Sequence, residues 1–183
     1  KKAALESASD HISVIDMDVR NDASVAEGFE RILKEGPVDT LINNAGIMYI
    51  GMTEAYSVAQ AHEQMDTNYF GAIRAMQAVL PAMRAAGAGL IINTSSIAGR
   101  VAVPFFGTYC ATKHALEAYS QSLRYEVAPL GIDIALVEPG PFGTNLLAAG
   151  QPPAHEHILA AYGDLKDIPT SMIEGFSQML QSD

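Results

Sequence analysis

The run GLIINTS at 89–95 is almost continuously aliphatic and too short for a buried helix, and it is one of four short β-branched or aliphatic runs, of which it and the run at 38–43 are the almost continuously apolar ones. The others are HISVIDMDV (11–19), VDTLIN (38–43) and IDIALVE (132–138). Short strands without polar alternation are buried on both faces, which is the situation of a parallel sheet between helices. Helical patterns lie between them: DASVAEGFERILKEG (22–36), SVAQAHEQMDTNYFGAIRAMQAVLPAMRAAG (57–87) and TYCATKHALEAYSQSLRYEVAPLG (108–131). The alternation predicts βαβαβαβ, an α/β fold with a parallel sheet. Ser57 with Gln60 predicts a capping box, Gly36 and Gly87 occupy C-cap positions, and Pro129 and Gly131 close the third helix. A last amphipathic segment, 154–182, is expected to be helical with an interruption between Asp167 and Pro169.

A chain of 183 residues, 49% hydrophobic and 17% charged, has the size of one domain and enough apolar surface for a core. We therefore expect residues 1–183 to form a single domain. The formal charge of −10 leaves no basic stripe for phosphates, so nucleic acid is excluded as a partner. No apolar run of about 18 residues is present, which excludes a membrane-spanning helix. One cysteine, Cys110, precludes an internal disulfide framework and fits a reducing, cytoplasmic location.

Ligands of open parallel sheets bind at the carboxyl ends of the strands. The first strand ends in Asp18 and Val19, the second in NNAG (43–46), the third in TSSIAG (94–99) and the fourth in PGPFGT (139–144). Each ending taken alone has a plain explanation as a turn or a cap. Four on one sheet edge, followed by Tyr109 and Lys113 at i and i+4 on one helix face, point to a shared site. His155 and His157 form an isolated HxH with no further ligands clustered near them in sequence, and we read them as a solvated loop and expect no metal. Cys110 has no histidine at a recognisable spacing and is not a nucleophile candidate.

These residues, in this order and spacing, resemble the short-chain dehydrogenase/reductase family in its single-domain branch. The likeness rests on NNAG, Asn68, Ser96 thirteen residues before Tyr109, YCATK at 109–113 and PGPFGT, and it spans about residues 10–147. The resemblance implies a Rossmann-like, doubly wound, three-layer α/β/α fold, incomplete in this chain. It implies NAD or NADP as cofactor and hydride transfer between the nicotinamide and an alcohol or carbonyl carbon. In that reading Tyr109 exchanges the proton, Ser96 holds the substrate oxygen, Lys113 orients the ribose and tunes Tyr109, and Asn68 keeps a proton-relay water. Asp18 and Val19 would meet the adenine, Asn44, Ala45 and Gly46 would lie under a ribose, and Pro139, Gly140 and Thr144 would cover the nicotinamide. A nearby ammonium favours phenolate, so the pairing with Lys113 predicts a lowered Tyr109 pKa.

The largely apolar stretch RVAVPFFG (100–107), with Phe142, Leu146 and Leu147, predicts a hydrophobic alcohol or carbonyl substrate. By the same resemblance helices 57–87 and 108–131 would pair across subunits of a homodimer or homotetramer, with Tyr125 and Leu123 either in that contact or in the internal core. No TGxxxGxG-like segment occurs in these residues. We expect either a longer natural chain, or a strand 11–19 that closes up beside 38–43. The missing phosphate turn motivates one alternative function, a non-catalytic interaction or regulatory protein of the same fold.

Overall fold

The computed structural model describes residue 7, residues 9–140, residue 146 and residues 150–179. Its centre is a parallel sheet of three strands, β1 (Thr40–Asn43), β2 (Gly89–Thr94) and β3 (Ile132–Val137), in the order β1-β2-β3. Leu41 is level with Ile91 and Ile91 with Ile134, while Asn43 is level with Asn93. Parallel neighbours need helical crossovers, and the chain supplies them in the segments whose apolar residues recur at helical spacing.

Helix α1 (Asp22–Glu35) starts at Asn21, whose side chain accepts from the Ser24 amide at 2.9 Å. Helix α2 (Val58–Met65) opens on the expected capping box, Ser57 and Gln60 each satisfying the other's backbone amide. A π-helical turn, Asp66–Phe70, then leads into α3 (Gly71–Ala86), which stops at Gly87 in the left-handed region. Helix α4 (Gly107–Val127) carries the catalytic candidates.

One core holds these elements together. Val25 and Phe29 of α1, Met76, Val79 and Met83 of α3, and Leu116 of α4 pack on Ile91, Ile132 and Ile134. Each such side chain contributes about 1.5–3 kcal/mol by leaving water. Because alternate strand residues face opposite ways, these helices cover one face of the sheet. On the other face Ile42 and Val137 are exposed.

The strand expected over 11–19 is not part of the sheet among the described residues. Met17 lies over Gly28, leaving no room for a Cβ there, and Val19 abuts Gly71. Side-chain packing on α1 and α3 therefore holds this segment without a ladder. The expected single helix over 57–87 is divided by the π turn. In the last segment α5 (Glu156–Ala161), a 3-10 stretch (Gly163–Asp167) and α6 (Ile168–Met179) follow in turn. The break thus comes before Asp167, and Pro169 falls in the first turn of α6, where a missing N–H costs nothing.

Candidate active site

Of the expected site residues, Asn44, Ala45, Gly46, Ser96, Pro139 and Gly140 follow the carboxyl ends of the three strands and Asn68, Tyr109 and Lys113 come from the helical segments, while Thr144 lies outside the described residues, as do Phe142 and Leu147. Beyond β1 the chain runs through Asn44 and Ala45, both exposed, into Gly46 and Ile47. Asn68, in the π turn and 2% exposed, grips that loop: its Oδ1 accepts from the Ile47 amide at 2.8 Å and its Nδ2 donates to the Ile47 carbonyl at 2.9 Å. The same Nδ2 donates to Thr112 Oγ1 at 3.0 Å. Both ends of the amide are therefore committed to positioning, which is how an asparagine is tolerated inside a buried helix.

Beyond β2, Ser95 is tied to β3 through its amide and the Val137 carbonyl, 2.7 Å apart. Ser96 caps the 3-10 turn Ile97–Gly99, its Oγ accepting from the Ala98 amide at 3.1 Å. Ser96 also favours ionisation of the Tyr109 phenol. Pro139 holds the next strand end in place by accepting from the Ile97 amide at 3.2 Å. Gly99 permits the close approach of helix α4: a Cβ there would meet Ser95 Oγ at 2.8 Å, Glu117 Cγ at 3.0 Å and the Lys113 backbone carbon at 3.3 Å.

Tyr109 and Lys113 are each 5% exposed. Lys113 Nζ donates to the Thr94 carbonyl at 2.7 Å and lies 5.7 Å from the centre of the Tyr109 ring. Burial lowers the Lys113 pKa to about 8, against the opposing charge of Glu117 one turn later. The expected lowering of Tyr109 does not occur in the cofactor-free protein: burial pushes the phenol up, and the influence of Ser96 only partly offsets this. The phenol is consequently protonated at neutral pH. Glu117, buried itself, leaves Oε1 without a hydrogen-bond partner, as does Ser95 at Oγ.

Tyr109 belongs to an apolar cluster with Met48, Ala98, Phe106 and Cys110, against which Ile50, Val103, Phe105, Leu146 and Met172 pack. Phe105 adopts a left-handed backbone, φ 70°, unusual for a bulky residue, and its carbonyl accepts from the Gly51 amide at 3.0 Å. A cavity of about 150 Å³ adjoins this cluster, lined by Met48, Ile50, Gly150, Gln151, Pro152 and Ile173. The Gln151 and Pro152 carbonyls are fastened to α2 and the residues before it by Tyr56 Oη at 3.1 Å and Gln60 Nε2 at 2.8 Å. A larger hollow of about 410 Å³, lined by His62, Glu63, Asp66, Phe70 and Arg74, shares no residue with the Tyr109 cluster.

Asp18 and Val19 lie outside the sheet; the Asp18 carboxylate accepts from the Arg20 guanidinium at 3.1 Å through both oxygens and from the Arg20 backbone amide at 3.0 Å, which holds it below the usual carboxylate range. The rings of His155 and His157 meet edge to face, 5.8 Å apart. No group of three or more His, Cys, Asp or Glu side chains able to hold a metal occurs among the described residues. No helix among them is long and apolar enough to cross a membrane. Sequence reasoning missed Thr112, Glu117, the cavity residues Met48 and Ile50, and Met172, which packs against the Tyr109 cluster. Only Thr112 and Glu117 carried a signal, as polar residues on either side of Lys113 in a helix that buries them.

A family model described as short chain dehydrogenase matches residues 1–153. The 3-ketodihydrosphingosine reductase of Bacteroides thetaiotaomicron is 44% identical over 135 residues, 73% of this chain and 50% of that protein. Among solved structures, a short-chain dehydrogenase from Streptomyces avermitilis superposes with a TM-score of 0.75 at 34% identity, covering 86% of this chain and 63% of its own. A gluconate 5-dehydrogenase from Burkholderia cenocepacia, in complex with NADP and tartrate, does so with a TM-score of 0.69 at 31% identity, over 78% of this chain and 57% of its own. The chain spans about half the length of the curated relatives it matches.

Proposed function

The chain belongs to the short chain dehydrogenase family, and from that membership we propose that it carries the catalytic part of an NAD(P)-dependent oxidoreductase interconverting a hydrophobic secondary alcohol and its ketone or aldehyde. The observation that carries this reading is the buried Lys113 ammonium, held between the Thr94 carbonyl at the end of β2 and the buried Tyr109 ring, with the half-buried Ser96 following the same strand end.

The donor set fits the nicotinamide end of such a cofactor. Thr94 takes one of the three Lys113 N–H donors, so the ammonium has further donors for ribose hydroxyls. Ser95 Oγ is buried without a hydrogen-bond partner, and Asn44 and Ala45, which follow β1, are exposed. Pro139 and Gly140, which follow β3, are assigned to the nicotinamide, and Asp18 and Val19 to the adenine, in the same proposal. When bound, the nicotinamide supplies or accepts a hydride at its C4.

The chain's own residues handle the proton. In reduction the protonated Tyr109 phenol gives its proton to the carbonyl oxygen as hydride reaches the carbon; in oxidation the phenolate takes the proton of the hydroxyl. Ser96 donates to the same oxygen and stabilises the charge that develops on it. Lys113, held by Thr94, favours the phenolate once Tyr109 has given up its proton. Asn68 fixes the loop of Ile47 at the mouth of the site. Thr144 is assigned to the nicotinamide side in the same proposal.

The apolar cluster around Tyr109 supports the hydrophobic substrate, and a 44% identical relative is named for a keto substrate. The proposal takes residues 1–183 as one partial domain of a cytoplasmic homodimer or homotetramer. Tyr125, 82% exposed, is assigned to that contact, whereas Leu123 packs against the internal core. The test is a panel of hydrophobic secondary alcohols and ketones with NAD(H) and NADP(H) on the full-length protein, wild type and Tyr109→Phe. A drop in kcat of about 100-fold or more in the variant is expected; unchanged turnover, or no cofactor binding, overturns the reading.

A further inference from the structure

Thr112 lies inside α4 between Tyr109 and Lys113 and is 1% exposed. Its Oγ1 donates to the Tyr109 carbonyl at 2.8 Å and accepts from Asn68 Nδ2 at 3.0 Å. Asn68 is meanwhile clamped to both backbone groups of Ile47. One hydroxyl therefore joins three segments: the turn of α4 that bears the reactive pair, the π turn, and the loop after β1. We propose that Thr112 is a positioning residue whose hydroxyl sets the Tyr109–Lys113 turn against Asn68, and through it against the loop that follows β1.

Its physical basis is the closed hydrogen-bond account of a dry site. Asn68 Nδ2 carries two hydrogens, one given to Ile47 and one to Thr112. A valine at 112 has the shape of threonine but no acceptor, so the second amide hydrogen would be left without a partner in a nearly water-free place. The structure can relieve that by moving Asn68, which loosens the loop of Ile47, or by moving α4, which shifts Tyr109 relative to Ser96. Reacting groups tolerate little of this, since a misplacement of about 1 Å costs on the order of 100-fold in rate. Serine keeps the donor and the acceptor while losing only a methyl group.

The inference rests on the oxidoreductase reading above for its kinetic arm, and a second arm is independent of it. Thr112→Val and Thr112→Ser would be made in the full-length protein, and kcat and KM measured with the substrate and cofactor on which the wild type turns over. In parallel, the Tyr109 phenol would be titrated in cofactor-free protein by NMR of 13Cζ-labelled tyrosine. We expect Thr112→Val to lower kcat at least about tenfold with KM within about twofold, and to move the Tyr109 midpoint. Thr112→Ser should match the wild type in both. If Thr112→Val does not fold, Thr112→Ala carries the same expectations. Wild-type kcat and midpoint in the valine variant overturn the proposal, and so does a serine variant as impaired as valine. An inactive wild type would defeat the functional reading alone, leaving the phenol titration to decide the role of Thr112.

Discussion

The Lys113 ammonium sits 2.7 Å from the carbonyl oxygen of Thr94, the last residue of β2, so a helix side chain is keyed to a strand end. Burial disfavours the charge there, as its lowered pKa records. Lys113→Met removes that penalty while filling the same volume. Its melting temperature is expected to equal or exceed that of the wild type, while kcat/KM falls about 100-fold or more. A melt lowered by more than about 5 °C would show that the ion stabilises the fold.

Glu117 raises the proton affinity of Lys113 from one turn away. The Lys113 ammonium should titrate near pH 8 by 15Nζ NMR in the cofactor-free protein, and Glu117→Gln should move the midpoint lower still. An upward move would contradict the assigned sign. The linkage runs in the same sense: the folded chain sheds this proton at lower pH than the unfolded chain, so Lys113 opposes folding below about pH 8. That opposition fades as pH rises through 8 toward the ordinary lysine value of about 10.4.

Gly99 is the contact point of the Ser95–Ser96 segment with α4. Gly99→Ala pushes on Ser95 Oγ, Glu117 Cγ and the Lys113 backbone at once. Overpacking of this kind costs about 1–3 kcal/mol. We expect that loss in urea unfolding, with kcat reduced about tenfold or more because Lys113 and Ser96 separate; a variant with wild-type kcat would show that α4 yields without disturbing the site.

The strand ends and the i, i+4 pair were legible because both follow from short-range periodicity, as did the capping box at Ser57 and the stop at Gly87. The strand over 11–19 was misread for a different reason: a ladder needs a partner, and apolar alternation says nothing about which partner is present. The π turn was invisible because the apolar pattern runs through 57–87 without a break. The contact of Thr112 with Asn68 joins residues 44 apart and depends on how two helices cross. The raised Tyr109 pKa likewise depends on burial, which outweighs the neighbouring ammonium that the spacing alone brings to mind.

Asn93 organises the buried middle of the sheet. It accepts from Asn43 Nδ2 and donates to Ser120 Oγ, both at 2.8 Å, and is fully buried. Asn93→Leu removes the acceptor of Asn43 Nδ2 and the amide donor to Ser120 Oγ, which keeps only its bond to the Leu116 carbonyl, and a loss of about 2–3 kcal/mol is expected in chemical denaturation. A variant as stable as the wild type would place those two groups in contact with water.

The π turn at Asp66–Phe70 widens the helical repeat, so α2 and α3 do not share one angular phase. Each residue of an α-helix advances the face by about 100°. Deleting a single residue from 66–70 would let the helix run straight through and swing α2, with its Ser57 cap and its grip on Pro152 through Gln60, away from the loop that Asn68 holds. Tolerance to length changes here is accordingly far lower than helix propensity alone would imply. The widened turn is a phase adjuster, through which one rod serves both the mouth of the site and the floor of the core.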